Sequence, residues 1–367
     1  MIHCVVGTRA QLFKLAPVML ECERRRLAWR WIYTVQHRDT IEQTLQMFGL
    51  PEPDRIVVPW ETEAKSMGSM AHWFGRMLLA LPRSRGMLAG QTGPRHCVVT
   101  HGDTFTTWFG ALMGKLTRTP VMHVESGLRS FNLRQPFPEE LNRRITFRLS
   151  DFYACPGPQA VANLRSFKGV KLDTGTNTQA DTLRFGLENA DKAAVDVPTE
   201  AFVVATIHRY ENIFDRRRFE RIIDLLELIA TRFRVLFIRH PATELQLEKL
   251  DLRSRLEVNT RIDLLPRLEY LPFVKLIRNA DFVVTDGGGN QQELSYLGKP
   301  TLIFRDAVEG GEGIGTNAIV SKLDEQVVRT FLEEYPSYSR PLQLPAHSPS
   351  ALIVDFLAER GFGALPR

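Results

Sequence analysis

The sequence contains no long apolar run. No window reaches the ~18 consecutive apolar residues of a membrane-crossing helix, although 44% of its 367 residues are hydrophobic. No secretory leader is expected either, since Met1-Ile2-His3-Cys4-Val5-Val6 shows no basic start followed by a long apolar core. That segment reads as a first strand, and the protein is expected in the cytoplasm without membrane insertion. Cysteine is scarce. Cys4, Cys22, Cys97 and Cys155 show no CxxC spacing, so neither zinc nor a redox pair is indicated. Cys4 and Cys97 lie within apolar runs and are expected as buried thiols. No strict GxGxxG with a downstream acid closes a βαβ unit, so the dinucleotide fingerprint is absent. There is no concentrated basic arm. The net charge is +5, and the runs Glu23-Arg24-Arg25-Arg26 and Asp215-Arg216-Arg217-Arg218 read as solvated helix faces. Nucleic acid is therefore not an expected partner. An anionic small substrate accounts equally well for a few placed Arg and Lys.

What the sequence does contain is an alternation of short apolar runs with helix-period stretches. The first series of strands is expected at 2–6, 31–35, 55–58, around 97–99 and 121–122, at 151–156 and at 170–172. A second series is expected at 202–206, 235–238, 264–265, 282–284 and 301–304. Between them, Leu12, Leu15, Val18, Met19 and Cys22 recur at helical spacing. Further helices are expected at 41–48, 67–81, 217–232, 271–279 and 348–359. Strands alternating with helices imply parallel sheets. Two such series imply an α/β protein of two Rossmann-like domains with parallel sheets facing a central cleft. The expected boundaries are 1–178 and 179–345, with Gly175 to Asp181 leading to a linker. The tail 346–367 is expected to form a helix that packs back across the boundary. The Met- and Phe-rich helix at 67–81 carries more apolar surface than a two-sided layer needs, which points to a homodimer. His72 reads as a packed helix residue.

The stretch from Cys97 to Arg144 concentrates chemistry. One run ends in His101-Gly102-Asp103-Thr104 and the next in His123-Val124-Glu125-Ser126-Gly127. In open α/β sheets ligands sit beyond the carboxyl ends of strands, so Asp103 and Glu125 are expected at one crevice. Taken singly, each acid could be a cap or a turn former. Glu139 follows at an expected helix start, where acids are also common for structural reasons. Gly7-Thr8-Arg9 lets the first strand turn sharply into a helix whose start favours anions, with Arg9 and Lys14 near its mouth. The bland alternative is a plain strand-to-helix turn. Gly287-Gly288-Gly289 follows a strand and offers amide N–H groups with no side chain in the way, a phosphate-binding turn or simply a helix-opening turn. His208 follows the first strand of the second series, as a cleft residue or a structural histidine. Phe273 could be a pocket wall or a core aromatic.

Six motifs, in order, carry a resemblance: GTRAQLFK, HGDT, HVESGLRS, PEELNR, TIHRYEN and TDGGGNQQELSYLGKP. Together they resemble the non-hydrolysing UDP-N-acetylglucosamine 2-epimerases, which have the GT-B fold. The resemblance implies catalytic positions at Asp103, Glu125, Glu139 and His208. It also implies contacts to the UDP-sugar from Arg9, Lys14, Arg129 and Phe273. The turn Gly287-Gly288-Gly289 would hold the diphosphate and Glu293 the ribose. The implied reaction eliminates the nucleotide diphosphate to a 2-acetamidoglucal and re-adds it, with the C2 proton returned to the opposite face. That route calls for neither a metal nor a cofactor. The chain departs from the family pattern at Ala10, Gln11, Val35, Gly287 and Gly310. A glycosyltransferase of the same fold, a hydrolysing 2-epimerase and a non-catalytic nucleotide-sugar binder are the competing readings. The segment GLRSFN followed by PEE also resembles epimerases acting on a diacetamido uronic acid sugar.

Overall fold

The computed structural model describes residues 1–34, 41–58, 67–88, 95–132, 138–308 and 311–364. Val35, the Gln36-His37-Arg38-Asp39 segment, the loop at 90–94 and Gly310 lie outside the described residues. The chain divides into two compact units, residues 1–182 with 345–367, and residues 183–344.

The first unit holds β1 (Ile2–Val6), β2 (Trp29–Tyr33), β3 (Arg55–Ile56), β4 (Cys97–His101), β5 (Val121–Val124), β6 (Phe152–Cys155) and β7 (Val170–Asp173). They form one parallel sheet in the order β3-β2-β1-β4-β5-β6-β7. The second unit holds β8 (Phe202–Thr206), β9 (Arg234–Ile238), β10 (Ile262–Leu265), β11 (Val283–Thr285), β12 (Thr301–Ile303) and β13 (Ala318–Val320). Its sheet is also parallel, in the order β10-β9-β8-β11-β12-β13. Every residue of β1, β4, β5, β8, β11 and β12 is buried. Helices cover both faces, which is why these strands read as continuous apolar runs rather than alternating ones. The α/β fold of two Rossmann-like parallel-sheet domains is the one expected.

In each sheet the strand order reverses once, between β1 and β4 and between β8 and β11. Helices leave these points on opposite faces, so loops splay apart and open a crevice at the carboxyl ends. The motifs around Gly7, Asp103, His208 and Gly287 all fall at these two reversals. At Gly7 only glycine fits: an added Cβ would lie 2.0 Å from Thr106 Oγ1 and 2.5 Å from Thr34 Oγ1. Thr8 then caps the helix Arg9–Arg24, accepting from Gln11 N, while Gln11 Oε1 accepts from the backbone of Gly7 and Thr8. The Gln11 amide nitrogen also donates to the His101 carbonyl at 2.7 Å and to Thr107 Oγ1 at 3.1 Å. A carboxylate could make neither donation, so the departure at Gln11 is tied to this chain's own buried network.

The tail helix Pro349–Glu359 belongs to the first unit. Ser350 N donates to Asp181 Oδ2 at 2.8 Å, Arg25 pairs with Asp355, and Phe356 and Phe362 pack edge-on to Phe152. In the helix Met67–Ala80, Trp73 and Met77 are buried in the first unit's core, whereas Leu79 is exposed. All four cysteines are buried and unpaired. Among the described residues, no helix is long and apolar enough to cross a membrane.

Two local details emerge only in the structure. Gln179, Ala180 and Asp181 open the helix Gln179–Asn189, within which the division between the units falls, after Thr182, with the Asp181 carboxylate at its favourable positive end. The second strand sits two residues earlier than the apolar run 31–35 indicated, because pairing with β1 begins at Ile2↔Trp29. The short strand β13 was not anticipated; three residues on a sheet edge carry too little periodicity to be seen.

Candidate active site

In the first unit the carboxyl ends of β4 and β5 bring Glu125, Asp103, His101 and His123 together. Glu125 follows β5 in a left-handed conformation, φ 62°, which turns its side chain back over the strand ends. Its Oε1 accepts from Lys14 Nζ at 2.6 Å and from Asn177 Nδ2, and its Oε2 lies 3.5 Å from His101 Nε2. Burial alone would raise the carboxyl pKa. The Lys14 and His101 contributions and the two donors outweigh it, so Glu125 is held down at about 2. The buried His101 is pushed down to about 3, by burial first, against the pull of Glu125. It is neutral, and its Nε2 has no hydrogen-bond partner among the described residues.

Asp103 is positioned by its neighbours. Its Oδ2 accepts from Arg143 at 2.6 Å and its carbonyl from Asn142 Nδ2 at 2.8 Å, both on the helix Glu139–Leu149. His123 Nε2 contacts the Gly102 carbonyl at 2.7 Å, and its Nδ1 contacts Ser126 Oγ at 3.0 Å. A carbonyl only accepts, so the neutral ring, held down at about 4 chiefly by burial, donates from Nε2 and accepts the Ser126 hydroxyl. This clamps the Gly102-Asp103 turn. Desolvation raises the Asp103 pKa, Arg143 opposes it, and the negative Glu125 adds to the rise. Two carboxyl groups in one neighbourhood are thus pushed in opposite directions.

The remaining expected residues of this unit divide. Glu139 opens the helix, and its Oε2 is buried without a hydrogen-bond partner among the described residues. Glu140, one position on, is fully buried and accepts from Arg129 Nε at 2.5 Å and Ser130 N at 3.1 Å. Arg129 is therefore engaged within the protein and also lies over the Phe131 ring. Arg9 lies over Phe13 at 5.1 Å. Lys14 is committed to Glu125 rather than standing free at the loop mouth.

In the second unit the organising residue is Asp286, at the carboxyl end of β11. Fully buried, it accepts from His208 N, Arg209 N and Asn212 Nδ2. This pins the loop after β8. His208 Nδ1 is 3.4 Å from Asp286 Oδ1, and the ring stacks on His240 with centroids 4.5 Å apart. A Cβ on Gly287 would come within 2.8 Å of His208 Cε1, whereas Gly288 and Gly289 face open space. These last two residues start the helix Gly288–Leu297, whose free N–H groups favour an anion. Glu293 is buried and accepts from Tyr270 Oη at 2.8 Å. Phe273 is half-buried and packs on the second sheet's core beside Leu276 and Ile277.

Sequence reasoning overlooked His101, His123, Asn177, Arg143, Glu140 and Asp286. For His101, His123 and Asp286 the signal was present, a polar residue within or directly following an apolar strand run; Glu140 and Arg143 lie inside a helix and Asn177 in a loop beyond β7, where the sequence carries no such mark.

A family model for UDP-N-acetylglucosamine 2-epimerase matches residues 20–341. The chain belongs to the UDP-N-acetylglucosamine 2-epimerase family. Among relatives, the UDP-N-acetylglucosamine 2-epimerase of Salmonella borreze is 32% identical, over 86% of this chain and 84% of its own. The UDP-2,3-diacetamido-2,3-dideoxy-D-glucuronate 2-epimerase of Pseudomonas aeruginosa is 30% identical, over 89% of this chain and 90% of its own. The crystal structure of the Methanocaldococcus jannaschii UDP-GlcNAc 2-epimerase in complex with UDP-GlcNAc and UDP superimposes with a TM-score of 0.79. It is 26% identical and covers 98% of this chain and 99% of that one. Across the family, then, closely named enzymes act on different sugars at the same carbon.

Proposed function

We propose that this member of the family epimerises C2 of a UDP-N-acetylhexosamine, UDP-GlcNAc to UDP-ManNAc or a close derivative, for surface polysaccharide synthesis in the cytoplasm. The carrying observation is the pair of carboxyl groups pushed apart, with Glu125 held low and Asp103 raised. Such a pair divides base and acid duties at one pH. In the first step a base of this cluster takes the C2 proton, the C2–H electrons form the C1=C2 bond, and the C1–O bond breaks with the pair leaving on UDP. In the second step the glucal accepts a proton on the opposite face of C2 while a diphosphate oxygen re-forms the bond to C1. Arg9 and Lys14 in the first unit, and the Gly287-Gly288-Gly289 turn in the second, are each candidates to stabilise the departing diphosphate. If the diphosphate draws Lys14 away, Glu125 loses a positive charge that keeps its pKa low and becomes a stronger base. Glu139 and His208 are the further proton-transfer candidates. In this reading residues 1–178 carry the carboxylates, 179–345 hold the nucleotide, 346–367 complete the first domain, and the protein works as a homodimer. Light scattering at micromolar concentration tests that last point, a monomer being the contrary result.

The diacetamido uronic acid sugar is the second substrate reading, favoured by the Pseudomonas aeruginosa relative and the GLRSFN segment. The test is incubation with a panel of UDP-sugars in deuterium oxide, read by NMR. The expected outcome is inverted C2 carrying deuterium, with glucal detectable. Free sugar with UDP would indicate hydrolysis instead. UDP-sugar binding without any exchange at C2 would overturn the proposal.

A further inference from the structure

At the amino ends of β4 and β5, the edge of the first sheet opposite Glu125, lies a cavity of about 370 Å³. Arg95, His96, Arg118, Thr119, Pro120 and Phe362 line it. A five-residue strand spans roughly 16 Å, so this cavity is separate from the carboxylate cluster at the other end of the same strands. Arg95 and Arg118 are exposed. Among the described residues, neither is within salt-bridge distance of a carboxylate. Arg118 is held in a left-handed conformation, φ 57°, at the end of the helix Phe105–Thr117. Arg95 pairs its backbone with Phe362 of the tail.

Behind the cavity runs a directional chain of hydrogen bonds that the proposed catalysis does not use. Arg30 Nε donates to His3 Nδ1 at 2.9 Å, and His3 Nε2 contacts His96 Nδ1 at 2.8 Å. A guanidinium only donates, so His3 Nδ1 must accept. His3 is fully buried, and burial, with Arg30 and His96 adding to it, pushes it down to about 2. It is therefore neutral, carries its proton on Nε2 and donates to His96. His96, lowered by burial first and by nearby positive charge, is in turn neutral with its proton on Nε2. The other ring nitrogen of His96, Nε2, is thus an N–H donor. Two arginines, this histidine, Thr119, Pro120 and the edge of the largely buried Phe362 therefore line the cavity.

We propose that this cavity binds an oxyanion of the phosphate class, carried on a small molecule whose apolar ring covers Pro120 and Phe362. Two arginines and an oriented N–H match the several acceptor oxygens of a phosphate monoester, and no acidic side chain lines the wall to repel it. Because Phe362 belongs to the tail and Arg95 and His96 to the approach to β4, the ligand ties the tail to the sheet.

Phenyl phosphate is the probe, added to the full chain with saturating UDP present to fill any other phosphate site. The nitrogen-15 resonances of the His96 ring, assigned by their loss in His96→Gln, report occupancy. The expected result is a saturable shift, with inorganic phosphate weaker by about tenfold for want of the ring. The double variant Arg95→Gln/Arg118→Gln is expected to weaken phenyl phosphate by at least about tenfold, since two charge-assisted contacts are lost. Its unliganded unfolding temperature should stay close to the parent's, because both side chains are exposed and Arg95 makes only a long hydrogen bond to the Arg360 carbonyl, at 3.4 Å. Absence of a saturable shift, unchanged affinity in the double variant, inorganic phosphate binding as tightly, or an equal shift from sodium chloride at matched ionic strength would each overturn the proposal.

Discussion

Replacing Glu125 by glutamine separates charge from shape. The amide oxygen of Gln can still accept from Lys14 and Asn177, so the strand ends keep their geometry. What disappears is the negative charge and the ability to take a proton. Glu125 is held at about 2 against an ordinary value of 4.5, which corresponds to roughly 3 kcal/mol favouring its ionised form in the folded protein. A carboxyl with a depressed pKa stabilises the fold above its unfolded value and loses that contribution as pH falls through the folded one. Above pH 4.5 the variant should therefore be less stable by up to roughly 3 kcal/mol, and the gap should close between pH 4.5 and 2. Urea unfolding at neutral pH and near pH 3 reads this directly. Catalysis should fall by at least ~10²-fold, the lower end for an acid/base residue, or about 2.7 kcal/mol of transition-state stabilisation. UDP affinity should be largely kept. Arg9→Ala is the contrast, expected to weaken UDP binding as well as turnover, because its charge acts in both states. The assay is C2 proton exchange in deuterium oxide on whichever UDP-sugar the parent turns over. Wild-type exchange in Glu125→Gln would refute the placement of proton transfer at the ends of β4 and β5.

Two further outcomes are expected. Gly287→Ala should displace the His208 imidazole, since the new Cβ would sit 2.8 Å from His208 Cε1, whereas Gly288→Ala meets open space. Circular dichroism should show both folded and turnover should fall in the first; equal spectra of the His208 ring in the two variants would contradict this. Mild acid should destabilise the first unit, because His3, His101 and His123 stay neutral when folded, at about 2, 3 and 4, while the unfolded chain takes up protons near 6.5. The sign is loss of stability as pH falls below 6.5. From pH 7 to 5 each histidine removes about 2 kcal/mol, roughly 6 in all, and a flat urea midpoint across that range would exclude it.

The strands were legible because their burial is two-sided. β1 and β8 coincide with the apolar runs read from the sequence, and β4 and β5 each run two residues further, through Thr100-His101 and His123-Val124. Those same residues, His101 and His123, were passed over because a buried histidine within a strand has no periodicity of its own. The edges were less legible: β13 and the start of β2 are decided by which neighbour offers a hydrogen-bonding edge. The opening of the helix Gln179–Asn189 was also missed, since Gly175 to Thr178 looks like any polar turn.

The sequence by itself determined the two strand series, the α/β class and the positions of the polar loops, because helix and strand periods are local and repeat along the chain. It placed Asp103 and Glu125 at strand ends for the same reason. Only the tertiary structure decided what each group touches. Lys14 lies 111 residues from Glu125 and Asn177 lies 52 away, Arg143 is 40 from Asp103, and Asp286 is 78 from the backbone of His208. Charge and hydrogen bonding act over a few ångströms of space and leave no period in sequence. The opposite pKa shifts of Glu125 and Asp103 arise from that proximity and from burial, so they exist only once the sheets have assembled.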